Sequence, residues 1–155
     1  KEHSISTILE SHPNILNSFY SNPDGVLAAK GREESVMYNV IEIAENGPIA
    51  NYIRITGSIE EDLARLIAIQ LINAVSYMHS KSIAHLDIKL ENILLDSFFN
   101  IKLADMGISD IATSKNYKCA YRKGTVNYMA PEIAELKSRA KFDPFKADVY
   151  SLGVC

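Results

Sequence analysis

The chain has 155 residues, 47% of them hydrophobic and 23% charged, and carries a formal net charge of −3. That balance fits one soluble globular domain or part of one and excludes long disorder. The mild acidity, with no basic stripe, excludes a nucleic-acid or anionic-membrane footprint. Cys119 and Cys155 lack metal-type spacing and suggest a reducing compartment. The most apolar stretch, Leu63 to Val75, is interrupted by Arg65, Gln70 and Asn73 and is too polar to span a bilayer. No charged-then-apolar leader opens the chain, and Lys1 is not a methionine, so the natural start is expected upstream and the location in cytosol or nucleus.

In chain order, Ile5, Ile8 and Leu9 have helical spacing that stops before Ser11-His12-Pro13. Ile15-Leu16 and Phe19-Tyr20 read as a strand, and Asn22-Pro23-Asp24-Gly25 as the turn after it. Val36 to Ile43 is a second strand, ended by Gly47-Pro48. The clearest helix runs from Ile59 to His79, with Ser58 and Glu61 spaced as a capping box. Its apolar stripe is Leu63, Leu66, Ile67, Leu71, Ala74, Val75 and Met78. Asn92 to Leu95 and Ile101 to Ala104 form a short hairpin. Pro131 opens a short helix, and Lys146 to Cys155 opens a buried one.

The chemistry centres on His85-Leu86-Asp87-Ile88-Lys89-Leu90-Glu91-Asn92. An aspartate with an asparagine five positions later is weak by itself, since such pairs usually make local loop hydrogen bonds. Asp105-Met106-Gly107 follows thirteen residues after Asn92, then Gly124 to Glu132 (GTVNYMAPE), then Asp148-Val149-Tyr150-Ser151-Leu152-Gly153. Four motifs in this order and spacing resemble the protein kinase family along essentially the whole chain. His85 reads as a packed residue rather than an acid or base, and His3, His12 and His79 carry no functional weight.

The resemblance implies an α+β, two-lobed fold: a partial small lobe over 1–42 and, over 43–155, the hinge and a mostly helical partial large lobe. It implies phosphorylation of serine and threonine hydroxyls on proteins, with ATP and Mg²⁺ in the cleft. Asp87 would take or orient the substrate hydroxyl proton. Asn92 and Asp105 offer hard oxygen ligands that suit magnesium. Lys89 would neutralise γ-phosphate charge, and Thr125 would brace Asp87 and Lys89; these two residues favour serine/threonine over tyrosine. Ile41 resembles the gatekeeper behind adenine, Glu42 and Ala44 the hinge residues whose backbone bonds the base, and Leu94 the adenine floor. Asp148 resembles the anchor of the catalytic-loop backbone, and Glu132 the partner of an arginine outside this sequence.

The pattern departs from the family in several places. The glycine-rich loop and its phosphate-gripping lysine are not in this sequence, and Lys1 is a poor substitute. Glu2 fits the helix glutamate only with Ser6 at a normally apolar site. Leu86 stands where an arginine usually reads a loop phosphate, and Tyr121 occupies the usual phosphosite four residues before Thr125, so activity is expected not to depend on phosphorylation there. Thr113 and Ser114 are further candidate modification sites. Met106 replaces phenylalanine and Leu90 proline, neither removing a catalytic group. For the isolated segment the expectation is weak or no catalysis. Two rivals remain open from the residues alone: a pseudokinase-type binding scaffold, and a small-molecule phosphotransferase, against which Gly124 to Glu132 argues.

Overall fold

The computed structural model describes residues 5, 8–29, 31–135, 137 and 140–155. Lys1, Glu2, His3 and Ser6 lie outside them. Ile5, Ile8 and Leu9 are helical, and Ile5 and Leu9 are buried. In chain order the elements are β1 (Ser18–Ala29), β2 (Arg32–Ile41), β3 (Gly47–Pro48), α1 (Ile49–Thr56), α2 (Glu61–Ser80), β4 (Ile83–Ala84), β5 (Ile93–Leu95), β6 (Ile101–Leu103), β7 (Asp110–Ile111), α3 (Pro131–Ala134) and α4 (Pro144–Val154). Single 3₁₀ turns form at Leu90–Asn92 and Val126–Tyr128.

The strands make three small antiparallel sheets: the hairpin β1–β2, the ribbon β3–β5–β6, and the pair β4–β7. The inner face of α2 (Leu71, Ala74, Val75, Met78) packs on Ile5, Leu9, Ile15, Ile83, Ile93, Ile101 and Leu103 to form the larger core. A smaller core gathers Ala84, Leu86, Cys119, Ala130, Ile133, Phe142 and Ala147. The His85–Asn92 stretch lies in the chain between β4 and β5; the larger core holds Ile83, Ile88 and Ile93 along it, and the smaller core holds Ala84 and Leu86. Both cysteines are free, Cys119 buried and Cys155 exposed. No described helix is long and apolar enough to cross a membrane.

Several local expectations need correction. Asn22-Pro23-Asp24-Gly25 does not reverse the chain; it lies inside β1 as a bulge, where Asn22 opposes Tyr38 but Gly25 opposes Val36. The turn chemistry is spent on the bulge: the Asp24 N–H donates to Asn22 Oδ1 at 2.9 Å, and proline is tolerated where the ladder is broken. A Cβ on Gly25 would meet the Tyr38 ring at 2.4 Å, so only glycine fits there. The reversal comes next to Gly31, at φ +74°. Ile15 and Leu16 are outside β1; Ile15 instead bridges Leu103. β2 begins at Arg32 rather than Val36 and ends at Ile41, and Gly47–Pro48 is itself a strand, paired with Leu94 and Leu95.

The helices differ in their starts. α1 has no counterpart among the expected elements, because Gly47-Pro48 reads as loop punctuation; Pro48 instead stands at the N-cap of α1 with extended backbone. α2 begins at Glu61, not Ile59, with Glu60 at the cap position and no side-chain cap bond. Glu61 is therefore too early for a capping box and pairs with Arg65 at 2.7 Å, one turn on. Leu63 and Leu66 are exposed, whereas Ile59 and Ile67 on either side of them pack against the larger core. α4 starts two residues early, at Pro144, capped by Asp143 Oδ1, which accepts from the Phe145 and Lys146 N–H groups.

Candidate active site

The His85–Asn92 loop hangs from one buried carboxylate. Asp148, on α4, is fully buried and accepts the His85 N–H on Oδ2 at 2.8 Å and the Leu86 N–H on Oδ1 at 2.7 Å. The same Oδ2 lies 2.8 Å from His79 Nε2 at the end of α2. Leu86 is held at φ +67°, a conformation that costs a non-glycine residue about 1–3 kcal/mol. The His85 and Leu86 N–H bonds to Asp148 hold the backbone at this point. His85 is fully buried: its Nε2 lies 3.0 Å from the Ala104 carbonyl and its Nδ1 accepts the Asp87 N–H at 3.1 Å. Both bonds together require the neutral Nε2–H form, and burial holds its pKa below the ordinary histidine value. His85 thus ties the loop to the strand before Asp105, with both ring nitrogens engaged in hydrogen bonds.

Around Asp87 the structure brings together all four residues expected to act in catalysis. Lys89 Nζ donates to Asp87 Oδ2 at 2.7 Å and to Thr125 Oγ1 at 3.0 Å, and the Thr125 hydroxyl donates to Asp87 Oδ1 at 2.7 Å. Asn92 Nδ2 donates to the Asp87 carbonyl at 2.9 Å and to Oδ2 at 3.2 Å. Burial works to raise the Asp87 pKa, but the hydrogen bonds from Lys89, Thr125 and Asn92 outweigh it and hold the carboxyl below its ordinary value. Lys89 is pushed the other way, chiefly by its bond to Asp87. The group is an ionised carboxylate in a fixed orientation beside a fixed ammonium. With its amide nitrogen committed to Asp87, Asn92 has its side-chain oxygen left to accept or ligate.

Asp105 follows β6 and is exposed, at φ +67°, with Oδ1 accepting the Gly107 N–H at 3.2 Å. It lines an open cavity of about 300 Å³ together with Leu16, Ser18, Ile41, Leu94, Ala104 and Met106. Three residues expected at a nucleotide (Ile41, Leu94, Asp105) therefore share one cavity. Glu42 and Ala44 are outside its lining, and the Glu42 side chain has a separate task. Its Oε1 takes Lys102 Nζ at 2.5 Å, and its Oε2 takes the Asn17 N–H and Nδ2 at 3.0 and 2.8 Å. Burial opposes ionisation of Glu42, but Lys102 and Asn17 hold its pKa below the ordinary value. The Glu42 N–H donates to the Asn17 carbonyl at 2.8 Å, whereas the Glu42 carbonyl and the Ala44 N–H take no partner among the described residues. One acceptor and one donor are thus left open on the hinge backbone.

Reading of the sequence alone misses two anchors. His79 carries no weight in the sequence and yet shares Asp148 with the catalytic loop. Glu42 is expected to act only through its backbone; the signal for its side chain is Lys102, a lysine inside the buried run Ile101–Leu103 with only 8% exposure. Glu132 is exposed and has no ion-pair partner among the described residues. Met106 is buried in the larger core, as an apolar filler should be.

The family description "Protein kinase domain" matches residues 1–155. Among curated proteins, the chain is 42% identical over 148 residues to "CBL-interacting protein kinase 11" of Oryza sativa subsp. japonica, covering 94% of this chain and 27% of that protein. It is 38% identical over 145 residues to "CBL-interacting serine/threonine-protein kinase 15" of Arabidopsis thaliana, covering 92% and 31%. It is also 38% identical over 154 residues to "CBL-interacting protein kinase 24" of Oryza sativa subsp. japonica, covering 99% and 31%. The chain spans less than a third of the length of these relatives.

Proposed function

Because this chain belongs to the protein kinase domain family, we propose that its parent protein transfers the γ-phosphoryl group of ATP to serine and threonine hydroxyls of proteins. The observation that carries this reading is the closed triangle of Asp87, Lys89 and Thr125, with every edge between 2.7 and 3.0 Å. Phosphoryl transfer asks a protein for positioning and charge neutralisation more than for covalent chemistry. Asp87 Oδ2 and Oδ1 are already aimed and ionised, so an acceptor hydroxyl meets a fixed proton acceptor as it attacks the γ-phosphorus. Lys89 stands beside that acceptor to offset charge on the transferred group, and Thr125 holds the two at fixed separation.

ATP would lie against the cavity lined by Leu16, Ile41, Leu94 and Met106, and the open Glu42 carbonyl and Ala44 N–H, beside that lining, would be the backbone groups left for adenine. On this reading the small lobe spans 1–42, and the hinge with the large lobe spans 43–155. Magnesium, when bound, would supply positive charge to offset that of the phosphates. The Asn92 side-chain oxygen and the Asp105 carboxylate would hold it, a hard-oxygen pair of the kind that takes the remaining ligands from phosphate and water. Lys89 and Thr125 together support serine and threonine over tyrosine.

The test is incubation of the full-length parent with Mg²⁺, γ-labelled ATP and an acceptor protein offering serine, threonine and tyrosine, followed by acid hydrolysis. Label in phosphoserine and phosphothreonine is the expected product; label in phosphotyrosine, or in a small molecule instead of protein, would overturn the reading.

A further inference from the structure

Asp110 and Lys123 lie thirteen residues apart and have no part in the roles assigned above. Asp110 belongs to β7, where it sits opposite Ala84 of β4. Ile83 and Ala84 are buried and run directly into His85-Leu86. The Asp110 carboxylate is therefore fixed to the strand that delivers the catalytic loop. Its Oδ2 accepts from the Tyr117 hydroxyl at 2.9 Å and from Lys123 Nζ at 3.1 Å. The side chains of Lys123 and Asp110 are 18% and 17% exposed, so solvent and salt screen this pair far less than a surface one. Burial first, and then the Asp110 carboxylate, push the Tyr117 phenol up to about 12, which keeps it a hydrogen-bond donor.

Directly after Lys123 the chain makes its contact with the catalytic base. Gly124 has φ +108°, and a Cβ there would come within 2.8 Å of the Leu86 carbonyl oxygen, so its backbone rests directly on the catalytic loop. Thr125 then reaches Asp87. Elsewhere the segment is tied by the Cys119–Phe142 bridge and by Lys118–Asp143 at 2.8 Å, but these lead to the start of α4, and the Lys118 side chain is 43% exposed. The Asp110–Lys123 pair is the tie that adjoins Gly124-Thr125. Leu86 is buried and apolar and can hold no anion, while Tyr121 points to solvent at 73% exposure.

Resting on the phosphotransfer reading, the geometry points to Asp110 and Lys123 as a positioning pair that clamps Gly124 and Thr125 against the Asp87 loop while the segment is unphosphorylated. The pair acts through Thr125 and touches no reacting atom. Its loss should therefore lower kcat with little change in the KM for ATP, and it should loosen Gly124-Thr125 locally.

The experiment uses the full-length parent, phosphatase-treated and verified phosphate-free by mass spectrometry, as wild type, Lys123→Met and Lys123→Arg. A displaced brace is expected to cost Lys123→Met about tenfold or more in kcat, with the KM for ATP within about twofold. Lys123→Arg, which keeps the cation, should recover most of the rate. Amide hydrogen exchange across 124–126 should quicken in Lys123→Met and not in Lys123→Arg. Wild-type turnover in Lys123→Met, or an arginine variant as impaired as the methionine one, would overturn the proposal. If the wild type itself transfers no phosphate, it is the functional reading that fails. The exchange measurement then decides the clamp: faster exchange in Lys123→Met supports it and unchanged exchange overturns it.

Discussion

Asp87 and Asp105 bring the same functional group to the site and are held in opposite ways. Asp87 is surrounded by donors from Lys89, Thr125 and Asn92, and the loop that carries it is hung from the buried Asp148. Asp105 is exposed and accepts one backbone N–H, that of Gly107, at 3.2 Å. The crowded carboxylate has its orientation and its charge set in advance, which suits a group that must meet a proton in one geometry. The open carboxylate keeps an oxygen for a ligand. On the proposed reading, the contrast separates the residue that would act on the acceptor from the one that would act on the nucleotide.

The crowded side should break most severely at its anchor. Asp148→Ala leaves the His85 and Leu86 N–H groups buried without an acceptor, and the expected loss is roughly 3–5 kcal/mol, read as a lower urea midpoint. On the open side, Asp105→Asn should cost activity without stability: kcat about 10²-fold lower or more, with the unfolding free energy within about 0.5 kcal/mol of wild type. If Asp105→Asn unfolds the protein instead, the two carboxylates are not distinct in the way described.

A smaller effect sharpens the electrostatic half of the comparison. Thr125→Val removes the donor to Asp87 Oδ1, and kcat should fall about tenfold. Because the folded pKa of Asp87 is depressed, its contribution to stability is present above the unfolded carboxylate pKa and is lost as pH falls through the lower folded value. The acid limb of the wild-type rate profile should accordingly lie below the ordinary carboxylate range and move to higher pH in Thr125→Val. Smallest of all, Tyr121→Phe should leave kcat within about twofold of wild type, since that side chain is 73% exposed and belongs to neither cluster.

The site is more legible in the sequence than the fold around it. Asp87, Asn92, Asp105 and Thr125 stand in short motifs whose order and spacing are themselves informative, and the β5–β6 hairpin between two of them is announced by the Asp96 turn. Long-range side-chain ties leave no such trace. His79 on Asp148 spans 69 positions and Lys102 on Glu42 spans 60, and each looks in sequence like a solvated charge. The misread elements fail for local reasons. Asn22-Pro23-Asp24-Gly25 has the chemistry of a turn, but pairing on both sides of it in β1–β2 turns that chemistry into a bulge. Ser58 and Glu61 have capping-box spacing, but the cap lies at Glu60 and leaves both out of register.

The central claim is that Asp87 is the proton acceptor of a phosphotransfer centre, and the most direct measurement is single-turnover γ-phosphoryl transfer by the full-length parent beside its Asp87→Asn variant. ATP binding should be measured on both proteins at the same magnesium concentration. The account predicts closely similar ATP affinities and a transfer rate about 10²–10⁴-fold lower in the variant. Equal transfer rates in the two proteins, or no transfer from folded, ATP-bound wild type, would contradict it.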